Sequence, residues 1–282
     1  MSTFFSYRDN DMYVHHTQDP TPDPTVFQMH AHESMEMYYY ISGEGKYIVE
    51  GNYYDIHPHD ILIFRSGEMH KLEITESEPY ERLTIHFTPS LFSSIDSSGV
   101  LMLPFVERLP GQHNLYAASP ENIKDREFIY KDFDSFHGTR NEVRLHILSR
   151  LFSLLLDISD EYQTKILRPV QPLESVSYKI TAYINKHLFE DISLGSISNE
   201  FYISKSQANR VFREATGYTI WNYIVIKRLL AAREKILNDE PAGKVYLECG
   251  FKDYSSFYRA YKAHFGSSPT NDSPLPLEHC IV

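Results

Sequence analysis

The sequence predicts an α+β protein of two domains, in which a small β-barrel with flanking helices precedes an all-α domain. Short runs that alternate apolar and polar residues follow one another from Val26 to Pro89, with Gly-rich, Pro-rich or acidic breaks between them. This spacing is typical of the strands of a small barrel or sandwich. After residue 174 the apolar period is helical, and a weak internal repeat returns at a spacing of 49 residues.

The same patterns place the domain boundaries. Residues 1–162 are expected to form the first domain, 163–174 a linker that contains two prolines, and 175–282 the second domain. Residues 1–25 are polar and end in a cluster of prolines, so we expect an irregular arm there.

The first domain is predicted to contain six strands followed by helices. The strands are the runs MEMYYYI, KYIVEG, YYDI, DILIF, HKLEI and RLTIHF. An apolar helical stripe follows within residues 119–162. It consists of Ile147, Leu151, Leu154 and Ile158, widened by Leu148, Phe152 and Leu155. The stripe fits packing on the β domain and equally fits the seam of a homodimer, and both interpretations stay open.

Composition limits the classes of function. The 282 residues carry a net charge of −11, and residues 1–170 hold 14 Lys/Arg against 26 Asp/Glu, whereas residues 171–282 hold 13 against 12. This acidity argues against a protein that coats nucleic acid, but it permits a local basic face in the second domain. The two cysteines, the lack of a long apolar run and the N-terminal sequence lead us to expect a cytoplasmic protein without a membrane span.

The C-terminal repeat predicts two helix-turn-helix units. In the first unit Ser193 and Ser204 are expected to cap successive helices, and Gly217 to end the second one. Asp253 is the expected N-cap in the second unit. Between the units, Ile220–Leu237 contains no Gly or Pro and predicts one helix about 27 Å long. A connector of that length can place two helices in successive major grooves, roughly 34 Å apart.

Each unit presents cations and short polar side chains opposite an apolar stripe. Arg and Asn suit guanine and adenine because each presents two hydrogen-bonding atoms in one plane. The predicted DNA-binding residues are Lys205, Ser206, Asn209, Arg210, Arg213, Tyr254, Ser255, Arg259 and Lys262.

The stretch SLGSISNEFYISKSQANRVFREATGYTIWNYIVIKRLLAAREKIL, followed by ECGFKDYSSFYRAYKAHFGSSP, resembles the DNA-binding domain of AraC/XylS-type transcriptional regulators over about residues 175–270. The resemblance implies that outward residues of both units contact the bases or backbone of double-stranded promoter DNA. Tyr246 stands where the family usually has a small Ala, and Tyr258 is bulkier than usual. We therefore expect the second unit to read bases less well than the first.

A second resemblance lies in the N-terminal domain. The run H-A-H-E-S-M-E and the glycine that follows it fit H-x-H-x3-E-x6-G, and a G-x-x-H string comes later, which resembles the cupin fold over about residues 26–90. In metal-binding cupins these positions hold one ion, here through His30, His32, Glu36 and His70. Three imidazoles and a carboxylate suit Zn, Fe, Mn, Ni or Cu. AraC-type sensors also keep parts of this motif without a metal. A bound divalent metal and a barrel without a metal therefore both remain open interpretations.

The same barrel is expected to bind a small-molecule effector. Tyr, Arg and His around a polar cavity suit a hydroxyl-rich ligand such as a sugar, although strand tyrosines are equally common in ordinary cores. The candidate effector-binding residues are His30, His32, Glu36, Tyr38, Tyr40, Arg82, Thr84 and His86.

Together these patterns predict a non-enzymatic, sequence-specific transcription regulator that responds to an effector, most simply a saccharide, and acts as a homodimer. The alternative is a metal-dependent cupin enzyme with an appended helical domain. DNA binding that is specific and weakens steeply with salt would separate the two.

Overall fold

The computed structural model describes residues 1–75, 78–166 and 175–272. Within these ranges, the N-terminal domain is built mainly of strands and the C-terminal domain of helices. The strands are β1 (Ser2–Arg8), β2 (Met12–Asp19), β3 (Met35–Ser42), β4 (Gly45–Val49), β5 (Asn52–Ile56), β6 (Ile61–Phe64), β7 (His70–Ile74), β8 (Tyr80–Phe87) and β9 (Leu115–Tyr116). The six predicted strands correspond to β3 through β8 and are confirmed.

The helices occupy the remainder of both domains. They are α1 (Leu103–Val106), α2 (Ile123–Phe133), α3 (Arg140–Ile166), α4 (Val176–Lys186), α5 (Leu194–Glu200), α6 (Lys205–Thr216), α7 (Ile220–Leu237), α8 (Ala242–Glu248) and α9 (Tyr254–Phe265). Within the described ranges, no helix combines the length and apolarity that crossing a membrane requires.

Two antiparallel sheets enclose the interior of the N-terminal domain. The larger has the order β1-β2-β8-β3-β6-β9, and the smaller has the order β5-β4-β7. Successive side chains of a strand point to opposite faces. In β3, Met37 and Tyr39 therefore join the core beneath the helices, whereas Tyr38 and Tyr40 join an aromatic cluster between the two sheets.

The prediction of an irregular arm over residues 1–25 is wrong. Most of this segment forms β1 and β2, and β2 pairs along its whole length with β8. The polar side chains of His16 and Thr17 are buried there. Backbone pairing with β8, about 70 residues away, holds β2 in place. The polar composition of the segment therefore did not indicate a strand.

The stripe on α3 packs against the larger sheet. Ile147, Leu151, Leu154 and Ile158 are buried in one cluster with β-sheet residues, which confirms the packing interpretation. Leu145 and Leu156 of the same helix are exposed. The helix continues to Ile166, beyond the predicted domain end at 162, because no helix-breaking residue interrupts it there. Residues 167–174 of the predicted linker lie outside the described residues.

The predicted helix ends of the C-terminal domain are confirmed. Ser193 and Ser204 accept backbone N–H groups at the starts of α5 and α6, and Asp253 does the same for α9. Gly217 and Gly266 end the two recognition helices at φ values of 76°, in the left-handed region that suits glycine. The connecting helix α7 has the predicted bounds.

The two domains share a core. Met29, Ile48 and Met69 of the first domain pack in one cluster with buried residues of α4, α6 and α7. The second helix-turn-helix unit has a separate core around Phe257 and Tyr261. The first unit is therefore the one that rests directly on the β domain.

Candidate functional site

The side of α6 predicted to face DNA is open to solvent. Its opposite side buries Ala208, Phe212 and Ala215, which fixes the rotation of the helix. The exposed residues are Lys205, Ser206, Arg210 and Arg213. Arg210 Nη1 lies 3.2 Å from Glu214 Oε1 in a solvent-exposed pair, which contributes little and leaves the guanidinium able to reach DNA.

Asn209 has a structural partner. It is half-buried, and its Oδ1 accepts the backbone N–H of Ile220 at 3.1 Å, at the first residue of α7. An N–H in the first turn of a helix has no partner within the helix, so this side chain caps α7 from outside. The arrangement leaves the amide nitrogen of Asn209 as the group that can address a base.

The second recognition helix, α9, presents a smaller polar face. Ser255, Arg259 and Lys262 are exposed, as predicted. Tyr254 is half-buried, and its ring lies 5.5 Å from the ring of Tyr246. The large Tyr246 side chain therefore packs against other aromatic rings and does not lie on the side predicted to face DNA.

Arg228 joins the two units, and sequence reasoning missed it. The side chain is 5% exposed and donates to three backbone carbonyls, each at 2.7 Å. Leu188 and Glu190 carry two of them in the first unit, and Gly250 carries the third in the second unit. The available signal was the pair Lys227-Arg228 within the apolar run of α7, because a buried guanidinium must find acceptors.

The sensor cavity lies between the two sheets of the N-terminal domain. Its volume is about 30 Å³, which suits a few water-sized atoms, whereas sites for drug-sized ligands have roughly 300–1,000 Å³. The lining consists of Phe27, Gln28, His30, Glu36, Tyr38, Tyr47, Leu72, Tyr80, Arg82, Thr84 and His86.

Six of the eight predicted effector residues line this cavity, and His32 and Tyr40 are not part of the lining. The hydroxyls of Tyr38 and Tyr80 are 2.5 Å apart. The guanidinium carbon of Arg82 is 4.9 Å from the centre of the Tyr80 ring, a cation–π contact. Sequence reasoning missed Tyr47 and Tyr80, since both point inward only because β4 and β8 lie in the two sheets that face each other.

The four predicted metal ligands come together beside this cavity. His30, His32 and His70 each offer a nitrogen within 4.8 Å of the others, and His32, Glu36 and His86 form an overlapping group. The rings of His30 and His70 are 4.3 Å apart because the backbones of these two residues form an isolated antiparallel β-bridge. His86 is an addition that the motif did not predict.

The hydrogen bonds of the three histidines fit metal ligation. Nδ1 of His30, His32 and His70 lies 2.8–3.0 Å from the carbonyls of Gln28, Ser34 and Glu68. A neutral imidazole that donates from Nδ1 leaves the lone pair of Nε2 free for a metal. Nε2 of His32 and Nε2 of His70 both face Glu36 Oε2, at 2.8 and 3.3 Å, so the donor atoms of the three side chains meet at one place. The residues therefore fit a divalent transition metal bound through Nε2 and the Glu36 carboxylate.

The charge states agree with this donor set. Burial and the facing rings of His70 and His32 lower the pKa of His30 to about 3, and burial also lowers the pKa of His86 to about 3. Burial raises the pKa of Glu36, but His86, His32 and His70 outweigh it and hold that pKa well below its usual value. A neutral imidazole at His30 or His86 and an ionised carboxylate at Glu36 are the protonation states in which these groups bind a metal.

Comparison with known families identifies the chain. A family model described as the AraC-like ligand binding domain matches residues 17–167, more than half of the sequence, and one described as a helix-turn-helix domain matches residues 197–272. The chain belongs to the AraC family of transcriptional regulators. It is thus a DNA-binding regulator with an N-terminal ligand-binding domain.

Individual relatives are similar at lower identity. The chain is 35% identical to the probable transcriptional regulator LumQ of Photobacterium leiognathi over 92 residues, which cover 32% of this chain and 37% of LumQ. It is 20% identical to the transcriptional activator RhaR of Mannheimia succiniciproducens over 248 residues, 86% of each protein. These AraC-family relatives are regulators, so they do not favour the alternative of a metal-dependent enzyme.

A similar solved structure is that of ToxT from Vibrio cholerae. It is 14% identical, covers 93% of this chain and 97% of its own, and has a TM-score of 0.39.

We predict that Arg228→Met destabilises the DNA-binding domain by about 3–5 kcal/mol, because three backbone carbonyls lose their shared, buried, charged donor together. Urea unfolding measures the change. Lys252→Met is the matched control, since Lys252 also reaches from the second unit to the first, 2.9 Å from Asp191, but in solvent. We expect it to change the free energy of unfolding by less than about 1 kcal/mol. Equal effects of the two substitutions would contradict the role of Arg228.

Proposed function

We propose that this AraC-family regulator reads double-stranded promoter DNA with both helix-turn-helix units. In the proposed complex, α6 enters one major groove and α9 the next, with α7 as the spacer between them. The observation that carries the proposal is the exposure of both predicted polar faces while the opposite faces are buried in two separate cores. Two such helices on one rigid connector suit two successive grooves of one duplex.

The two units are proposed to contribute unequally. The face of α6 exposes three cations, whereas the face of α9 exposes Arg259 and Lys262. Arg210 lies in the middle of the exposed side of α6 and is proposed as the main base reader. Lys205 and Arg213, nearer the two helix ends, are proposed to contact phosphates, which position the protein without specifying sequence.

We expect Arg210→Ala to weaken binding to a specific DNA site by about 1–3 kcal/mol and to relax the preference at one base pair. The site is obtained by selecting duplexes from random DNA with the wild-type protein, and affinities are measured across a salt series. Arg213→Ala should instead weaken all sequences alike and reduce the slope of log K against log salt by about 1.

Lys131→Ala is the control for this experiment, because Lys131 is an exposed cation on α2 of the N-terminal domain, outside both helix-turn-helix units. It should leave affinity and preference unchanged. If Arg210→Ala behaves like Lys131→Ala, Arg210 does not contact DNA. If no selected duplex is bound more tightly than random DNA, sequence-specific reading itself is refuted.

We propose further that the effector is a hydroxyl-rich small molecule, most simply a saccharide, bound among the aromatic residues of the sensor cavity. Tyr38, Tyr47, Tyr80 and Arg82 supply ring faces, hydroxyls and a guanidinium around one space. Because that space is only about 30 Å³, binding requires Phe27 and its neighbours to move outward. A ligand that binds the opened arrangement preferentially would thereby shift the protein toward it.

A monosaccharide that binds should raise the melting temperature of the wild-type protein, because ligand bound only to the folded state stabilises it by about 2.7 kcal/mol at 100 times Kd. Tyr80→Phe should weaken that binding by about 1 kcal/mol through the loss of one hydroxyl. Tyr53→Phe is the control, since Tyr53 is a solvent-exposed strand tyrosine. If no monosaccharide in a broad panel changes the melting temperature, a saccharide effector is ruled out.

The histidine cluster is proposed to hold one divalent transition-metal ion through His30, His32, Glu36 and His70. The donation of three Nδ1 groups to backbone carbonyls supports this proposal, because such outer partners orient imidazoles for ligation. A bound ion would supply positive charge at the edge of the cavity and could orient an oxygen of the effector.

Equilibrium dialysis against Zn²⁺ should give one tightly held ion per wild-type chain. Loss of a residue that only hydrogen-bonds to a metal ligand weakens metal binding by about 10–100-fold. Because His70 is proposed to be a ligand itself, His70→Ala should weaken zinc binding by more than that. His57→Ala is the control, because the His57 side chain is 77% exposed and belongs to neither group of candidate ligands. Equal zinc content in the wild type and in His70→Ala would exclude this site.

We also propose that the chain acts as a homodimer through the outer side of α3. Leu145 and Leu156 are exposed there, and Leu148 and Phe152 are half-buried. A dimer would allow four recognition helices to read repeated half-sites.

A further inference from the structure

The hairpin turn between β4 and β5 contains an unfavourable residue at its first position. Glu50 and Gly51 form this two-residue turn, with φ values of 50° and 81°. Turns with two positive φ values favour Asn, Asp or Gly, because longer side chains are disfavoured in the left-handed region. An ordinary hairpin does not require Glu here. Backbone strain that persists at a defined position indicates a role for the side chain.

The carboxylate of Glu50 is fully buried against the DNA-binding domain. The Tyr223 hydroxyl donates to its Oε2, which also accepts from Asn185 Nδ2 at 3.2 Å. Lys227 Nζ donates to Oε1 at 2.9 Å. These three partners lie 135 to 177 residues away, on α4 and α7. Within its own domain, Glu50 Oε1 accepts the backbone N–H of Met69 at 2.8 Å.

This contact pairs a carboxylate of one domain with a cation of the other. A buried carboxylate is tolerated when it is paired and its lone pairs are bonded. Lys227, 12% exposed at its side chain, supplies the opposite charge and also donates to the Gly67 carbonyl at 2.6 Å. The contact therefore distinguishes one docked position of the DNA-binding domain from others that would leave a charge unpaired.

The contact continues along one side of α7. Tyr223, Lys227, Leu230 and Arg233 follow one another at intervals of three or four residues and share a face of the helix. Leu230 packs over Gly67. Arg233 Nη1 lies 3.0 Å from an oxygen of Glu33 in the sensor.

The residues that contact the DNA-binding domain lie next to the residues of the histidine cluster along the chain. Met29 and Glu33 contact the DNA-binding domain, and the histidines between them face the cluster. The Met29 carbonyl accepts from the Tyr218 hydroxyl at 2.9 Å. Met69, held by Glu50, immediately precedes His70. A displacement of the cluster therefore moves atoms that contact α7 directly.

We propose that Glu50 is the positioning residue that fixes the DNA-binding domain on the sensor. The proposal deepens the regulatory function proposed above and rests on it. The partner of this surface is the DNA-binding domain of the same chain.

The decisive variant is Glu50→Gly in the full-length protein. Glycine adopts both positive φ values of the turn freely, so the hairpin is retained while the carboxylate is removed. If Glu50 matters only for the turn, this variant behaves as the wild type or better. We expect instead a larger radius of gyration in small-angle X-ray scattering of the DNA-free protein, because the domains separate.

Hydrogen–deuterium exchange provides a second measurement. In Glu50→Gly and in the isosteric Glu50→Gln, segment 28–34 should exchange on the order of tenfold faster, because it contacts the DNA-binding domain without bonding to Glu50. Glu73→Gln is the matched control, since Glu73 lies on β7 of the same small sheet and is solvent-exposed. Its exchange and scattering should match the wild type.

The double variant Glu50→Gln/Lys227→Met tests the pairing itself. If the two residues act as one contact, the double variant exchanges no faster in segment 28–34 than the faster single variant. Wild-type scattering and exchange in both Glu50 variants would overturn the proposal, as would strictly additive effects in the double variant. These measurements use no DNA, so they can fail or succeed independently of sequence-specific binding to a selected duplex.

Discussion

The burial of helix α7 is the constraint on which the arrangement of the whole chain depends. Apolar residues lie on most sides of this helix, and a helix of that kind must be covered around its circumference. Ile224 enters the core of the first helix-turn-helix unit, and Leu229 enters that of the second. Tyr223 and Lys227 meet the sensor. One rigid helix thus sets the positions of both recognition helices relative to each other and to the cavity.

Charged side chains give this packing its specificity. Apolar contacts tolerate small shifts, whereas a buried cation requires acceptors at defined places. Arg228 donates to three carbonyls, two in the first unit and one in the second. Lys227 donates to the Glu50 carboxylate and to the Gly67 carbonyl. The first set holds the two DNA-reading units at one spacing. The second holds that pair on the sensor.

The alternation of strand residues links the sensor cavity to this helix. Inward side chains form the cavity and the histidine cluster, and the residues between them lie against the DNA-binding domain or the larger core. A cavity of this size admits the proposed effector only when its lining residues move apart. In our proposal, that displacement reaches the DNA-binding domain through the segments that contact both the cavity and α7.

Local patterns in the sequence determined the helix caps, the six central strands, the rotation of α6 and the exposure of Arg210, because each depends on neighbours a few residues away. Tertiary structure alone decided the remainder. It made strands of the polar N-terminal segment through pairing with β8, and directed Tyr47 and Tyr80 into one cavity. It also surrounded Glu50 with partners more than 130 residues away. Contacts between such distant residues leave no periodic pattern in the chain, so only the folded structure reveals them.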